Sequence, residues 1–504
     1  MLAQIDTFVG PEVGWFALSP MLTLLAGALG IMLLGALTPK WPNGWYAMFS
    51  AITAGTAGAL AMVQWDDITD NGPTTLVGGA IAFDTLSMFL TITICIALLL
   101  VSLLSDAHLR GTPNDGPELY ALYMVAAIGG IVMASSNDLI VLFLGLETLS
   151  LALYVLASSN RRSSQSAEAG LKYFILGGFS SAFFLYGIAL VYGATGSTNI
   201  SEMVAAMQTT VDIENPNTLA LAGIAMMMVG LGFKVAAAPF HVWVPDVYQG
   251  SPSPVTAFMA SAGKAAAFAA MLRVLVIALP FYRDQWRPVI WVLALLSLLV
   301  GSFLAVVQTN VKRMLAYSSV SHAGFILVGV EAAGHSAGNL DAGPGMPAVV
   351  LYLMLYGILV VGSFGIVAVV ARQTGGDTSL DAFKGLMARK PALALCFTVF
   401  LLAQAGVPFT TGFIAKFGVI QAAVDESSYA IAVIAMVAAV VAAFLYLRIM
   451  VSMWLAPADD GAKPLTIPFS AGLAIGSAAV FTIAVGIFPG WLIEAADTVT
   501  NYAR

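Results

Sequence analysis

Several side chains that hold or move protons fall inside stretches that are otherwise apolar. Glu147 lies in DLIVLFLGLETLSLALYVL, nine residues past Asp138 and so about 13 Å along a helix. Lys234 lies in MMMVGLGFKVAAAPFHVWVPDV, followed by Pro239, His241 and Pro245. Proline removes a backbone donor and breaks a helix. At membrane depth a broken helix lines a cavity or is buried in protein. Lys234 beside such a break therefore reads as a site, with His241 inside the break as a candidate modulator. Lys264 sits among small residues in TAFMASAGKAAAFAAMLRVLV, where helices can approach closely. Lys416 follows a second break, LLAQAGVPFTTGFIAKFGVI, loosened by Gly406, Pro408 and Gly412. A charge at the bilayer centre costs at least ~2.5 kcal/mol, and such residues mark ion or proton paths.

These types permit one chemistry. Desolvation disfavours an ammonium and a nearby carboxylate favours it. Glu147 close to Lys234 would form a pair that can open and pass its proton on. His322, in AYSSVSHAGFILVGV, is either a satisfied polar residue or a relay between Lys264 and Lys416. Glu168 and Lys172 stand four apart on one helix face; they either hold structure or modulate Lys234. Arg273 and Arg448 fall near span ends, where they snorkel or pair, and Asp84 also falls near a span end. No nucleophile–base set, Cys/His cluster or phosphate-binding loop after a strand is present. Bond-making catalysis, a zinc or iron–sulfur centre in this chain, and nucleotide or nucleic-acid binding have no support.

The elements that must position these groups follow from composition. Of 504 residues, 60% are apolar and 9% charged, whereas soluble domains carry about 25% charged residues. The expected fold is an all-α polytopic membrane protein. Fourteen apolar segments run over 14–37, 44–64, 82–104, 117–135, 138–158, 168–193, 218–243, 254–279, 288–309, 315–331, 345–371, 391–421, 428–455 and 466–494. The first residues lack a basic stretch, so the first segment is expected to be a retained span. Connections are short, and the whole of 1–504 reads as a single membrane domain.

Charge tests the count. Connections after odd-numbered spans carry eleven basic residues, among them Lys40, Arg110, Arg161, Lys312, Lys384 and Lys463, while those after even-numbered spans carry only Arg283 and Arg287. Acidic residues favour the second side, with Asp66, Asp67, Asp70, Glu202, Asp212, Glu214, Asp425 and Glu426. Basic loops face the cytoplasm, so both termini are expected outside the cytoplasm. The two broken spans are the seventh and twelfth. Each precedes a span ending alike, AAFAAMLRVLV around Arg273 and AAFLYLRIMV around Arg448. A separation of five puts equivalent units in opposite orientation, the inverted-repeat logic of transporters.

The runs FLGLETLSLALYVLAS, EAGLKYFILGGFSSAFFLYGIALVYG and GLGFKVAAAPFHVWVPDVYQGSPSPVTAFMASAGKAAAFAAMLR resemble subunit N of bacterial NADH:quinone oxidoreductase, respiratory complex I. QTNVKRMLAYSSVSHAGFILVG and AGVPFTTGFIAKF continue the likeness, which covers the chain from span three onward. The resemblance implies fourteen spans and two inverted five-helix units. These are spans 4–8 over 117–279 and spans 9–13 over 288–455, with 1–105 before them and 466–494 after. It implies that Glu147, Lys234, Lys264 and Lys416 transfer protons, driven by quinone reduction elsewhere. NADH, FMN, iron–sulfur clusters and quinone would then belong to other subunits, with no cofactor here. The implied partners are a neighbouring antiporter-like subunit, small membrane subunits and the bilayer. One departure is AQAGVPFTTGF, where relatives often carry a Ser-Leu-Ala-Gly-Ile-Pro-like run; Gln404 and Phe409 change the lining near that break. Two other readings compete: a cation/proton antiporter subunit without redox partners, and a purely structural membrane scaffold.

Overall fold

In the computed structural model, α5 (Leu139–Ala157) begins where Asp138 accepts hydrogen bonds from the amides of Ile140 and Val141 at 2.8 and 3.1 Å. That cap satisfies donors which the first turn cannot pair internally. Residues 13–38, 41–110, 116–210, 217–338, 343–458 and 465–503 are described; Lys40, Asp212, Glu214, Lys463 and Arg504 lie outside them. Before α5 come α1 (Ser19–Leu37), α2 (Trp45–Asn71), α3 (Thr85–Leu109) and α4 (Pro117–Ser135). After it come α6 (Ser164–Thr195), the short α7 (Ile200–Thr210), α8 (Thr218–Lys234), α9 (Val244–Gly250) and α10 (Ser253–Ala278). Next are α11 (Pro280–Val306), α12 (Val311–His335), α13 (Gly345–Gln373), α14 (Pro391–Ala405), α15 (Thr411–Asp425), α16 (Tyr429–Trp454) and α17 (Phe469–Ile487). A two-stranded hairpin, β1 (Thr74–Leu76) with β2 (Ile81–Phe83), joins α2 to α3.

Among the described residues twelve helices are long and apolar enough to cross a membrane. Two shorter apolar helices, α8 and α14, begin the interrupted spans. With α8–α9 and α14–α15 each read as one broken crossing, the described elements match the fourteen expected segments. Their ends differ. α2 continues to Asn71 and carries Asp66, Asp67 and Asp70; α11 carries Arg283 and Arg287; α12 starts at Val311 and carries Lys312 and Arg313. Hydropathy stops at the first charges, whereas a helix runs on past them to its cap.

Lipid gives apolar faces no reason to prefer one another, so close backbone approach holds such helices together. A Cβ on Gly129 of α4 would stand 2.7 Å from the carbonyl oxygen of Gly145 on α5, and one on Gly145 would stand 2.9 Å from that of Gly129. Gly187 and Gly223 make the same mutual contact between α6 and α8. The first contact seats Glu147, two residues past Gly145. The second seats the half-helix that ends at Lys234. α13 runs through the middle, buried along its length, and touches α3, α10, α12, α14, α15 and α17.

Candidate functional site: a row of buried lysines

The first break starts at Val235. Ala236 takes a left-handed φ of 64°, a conformation costing of order 1 kcal/mol for a residue with a Cβ. The groups freed by the break find partners. The Ala238 amide donates to Ser297 Oγ at 2.9 Å, and the Trp243 indole donates to the Phe233 carbonyl at 3.1 Å. Lys234, half-buried at the end of α8, does not pair with Glu147 directly. Its ammonium donates to Ser150 Oγ at 2.5 Å and lies 5.6 Å from the centre of the Tyr154 ring. Glu147, Ser150 and Tyr154 stand at i, i+3 and i+7 on α5, one stripe facing the break. Glu147 Oε1 and the Tyr154 hydroxyl are buried without a hydrogen-bond partner. A cavity of about 20 Å3 touches both Lys234 and Lys264, with Ser150, Tyr173 and Trp243 also in its wall. One water molecule needs about 10–15 Å3.

Lys264 follows a π-helical turn at Met259–Gly263, a distortion frequent at functional positions. It is 3% exposed. Its ammonium donates to the carbonyl and hydroxyl oxygens of Ser319 at 2.5 and 2.7 Å and faces the Tyr356 ring at 5.3 Å. His322 touches neither lysine. Its Nδ1 meets the Tyr352 hydroxyl at 2.6 Å, its Nε2 meets the Tyr446 hydroxyl at 3.3 Å, and its ring lies 4.5 Å from that of Tyr356. The line continues: Tyr446 to Ser318 at 2.6 Å, Ser318 to Gln404 Oε1 at 3.4 Å, and the Gln404 carbonyl to Lys416 at 2.8 Å.

Lys416 stands after its break, on α15, and reaches back over it. Its ammonium also donates to the Ala405 carbonyl at 3.1 Å, so it caps the carbonyl end of α14, where a cation is stabilised. A Cβ on Gly412 would stand 1.7 Å from the Ala403 oxygen; only glycine lets α15 start so close.

Three expected participants lie outside this line. Glu168 pairs with Lys172 at 2.7 Å, and Lys172 also pairs with Asp246 at 2.6 Å. Asp246 holds Arg313 at 2.6 Å, so the quartet ties α6, α9 and α12 together and does not touch Lys234. His241 sits in the break with its Nδ1 buried and unpartnered, its ring 6.3 Å from that of Tyr317. Arg273 and Asp84 find each other at 2.7 Å, both essentially unexposed. Arg448 donates to the Val306 and Gln308 carbonyls at the end of α11. Nothing in the sequence alone singles out Ser150, Tyr154, Ser318, Ser319, Tyr352, Tyr356, Tyr446 or Asp246. Only helical spacing from a named charge could have found the first four.

A bundle of long apolar helices, two of them interrupted beside lysines, defines an antiporter-like membrane protein. Residues 136–442 match the family model described as NADH:quinone oxidoreductase/Mrp antiporter, TM. The chain is 38% identical to NADH-quinone oxidoreductase subunit N of Rhodococcus opacus, with 100% of this chain and 99% of the relative covered. Respiratory complex I of Thermus thermophilus with bound Aureothin contains a chain 32% identical, at a TM-score of 0.78, covering 95% of this chain and 99% of that one. The Mrp complex from Dietzia shares the fold at a TM-score of 0.83 and 21% identity, covering 97% of each chain. This chain belongs to the subunit N family of NADH-quinone oxidoreductase.

Proposed function

We propose that the chain carries protons along the row Glu147, Lys234, Lys264, His322 and Lys416, coupled to quinone reduction in other subunits of a complex I-type assembly. The observation that carries this reading is the hydrogen-bonded line from His322 through Tyr446 and Ser318 to the side chain of Gln404, the residue whose backbone carbonyl takes the Lys416 ammonium. Lys264 lies beside it, in contact with the same Tyr356 ring as His322. Each lysine stores a proton, the hydroxyls and imidazole pass it on, and Gln404 holds Ser318 and Lys416 side by side. Glu147 sets how firmly Lys234 holds its proton, and Ser150 holds the ammonium while the pair is open. The small cavity between Lys234 and Lys264 admits the water that joins them. Glu168, Lys172 and Asp246 clamp α9 and so position the break; His241 modulates from within it.

Residues 117–279 and 288–455 form two inverted five-span units, each with one interrupted helix. The basic connections face the cytoplasm and both termini the periplasm. NADH, FMN, iron–sulfur clusters and quinone are held by partner subunits, among them a neighbouring antiporter-like chain and small membrane subunits. The test uses the assembled complex in proteoliposomes. Glu147→Ala and Lys234→Ala are expected to lower proton uptake and quinone reduction together. Normal pumping in both variants would exclude their role. Purification of the chain without flavin and iron–sulfur subunits would favour a free-standing antiporter.

A further inference from the structure

A groove of about 250 Å3 opens between the ends of α3 and α13 and the start of α17. It belongs to none of the lysine row. Leu104, Ala107, Ala368, Val369 and Ala471 make an apolar slot, with Arg110 and Arg372 at its mouth. Gly365 lets α13 approach α3 closely beside the slot, since a Cβ there would meet Leu104 at 2.9 Å. Arg110 is neutralised by Asp106 at 2.7 Å, whose carboxylate also accepts from Ser470 at 2.6 Å. Arg372 donates to the Arg110 carbonyl at 2.8 Å, and no carboxylate among the described residues pairs with it. The groove thus carries one uncompensated guanidinium above a slot lined by hydrocarbon. His108 adds a buried Nδ1 without a partner to the same wall.

We propose that this groove binds an anionic phospholipid, its phosphate held by Arg372 and Arg110 and one acyl chain lying in the slot between α3 and α13. Charge and shape together select this occupant. The mouth lies at the end of three helices that reach the basic face of the bundle, where basic pockets between helices bind anionic head groups. A free phosphate would satisfy the guanidiniums and leave the slot unfilled; a zwitterionic lipid would fill the slot and leave the net charge uncompensated. The inference rests on the membrane-spanning fold and not on the proton row, so either can fail without the other.

The test is lipid retention by the assembled complex, measured by native mass spectrometry after exchange into phosphatidylglycerol or phosphatidylcholine. Retention of one phosphatidylglycerol per complex is expected to fall about fivefold in Arg372→Gln, the factor for one basic residue near a bilayer surface. Ala368→Phe, which fills the slot and keeps both arginines, is expected to lose the lipid as well. Arg161→Gln, exposed on the same side outside the groove, is expected to retain it. Equal retention of phosphatidylcholine, unchanged retention in Arg372→Gln and Ala368→Phe, or displacement by inorganic phosphate alone would overturn the proposal. Should a variant fail to assemble, a photoactivatable phosphatidylglycerol on the unmodified complex decides. Crosslinks on residues 104–110 or 368–372 support the site, and crosslinks confined elsewhere refute it.

Discussion

Tyr446→Phe isolates one link of the row. The ring and its packing stay; only the hydroxyl goes. That hydroxyl stands 3.3 Å from His322 Nε2 and 2.6 Å from Ser318 Oγ. Without it the two polar atoms face each other across a gap of up to about 6 Å, well beyond a direct hydrogen bond of about 3.5 Å or less. Each is left short of a buried partner, a loss of roughly 1–3 kcal/mol. Applied to the barrier of a proton step, that range is roughly 5- to 150-fold in rate. Quinone reduction by the complex in sealed proteoliposomes, followed together with dye-reported proton uptake, is expected to fall about tenfold in both readouts. A solvent deuterium effect larger than that of the unmodified complex is expected too, because proton transfer becomes the slow step. A stable, fully assembled Tyr446→Phe complex with unmodified turnover and an unmodified isotope effect would refute the hydroxyl as a link.

Other perturbations separate structure from transport. Arg273→Met alone leaves Asp84 buried and unpaired and is expected to cost about 3–5 kcal/mol, read as lost assembly on native gels; adding Asp84→Asn should recover part of it. Ser319→Ala leaves Lys264 with the carbonyl alone and should slow coupled turnover several-fold without loss of complex yield. Gly129→Leu forces α4 and α5 apart and should abolish assembly, whereas Gly178→Leu, with open space around its Cβ position, should assemble normally by the same gel. Asp246→Asn breaks two ion pairs that are about a third or more exposed. It should cost no more than about 1 kcal/mol, with turnover in proteoliposomes within about twofold.

The charges and the breaks were legible because both violate what lipid tolerates: a lysine after VGLGF or IA is costly, and Pro239 cannot continue a helix. The hydroxyl and aromatic partners were not. Ser318, Ser319, Tyr352 and Tyr446 are unremarkable in any apolar helix, and only tertiary packing aims them at His322 and Lys264. The direct Glu147–Lys234 pair was expected from charge alone; Ser150, one turn on from Glu147, takes the ammonium instead. Arg273 and Asp84 were each placed near a span end, but 188 residues separate them in sequence, and nothing local announces their union. Helix ends were misplaced wherever polar termini such as Arg283 or Asp66 continue a helix that hydropathy had already closed.

Lys416 also joins two elements. Its ammonium is the lid on the carbonyl end of α14, where the helix dipole presents about half a negative charge. A neutral amine there would still have N–H donors for both carbonyls and would lose only the charge that the helix end favours, so the hold of α15 on the end of α14 would weaken without being cut. Phe409, in left-handed backbone and 73% exposed, is the tip of the turn. A buried ammonium and an exposed aromatic ring thus meet in one short turn: the Ala405 carbonyl holds the one, and Phe409, only four positions on, carries the other.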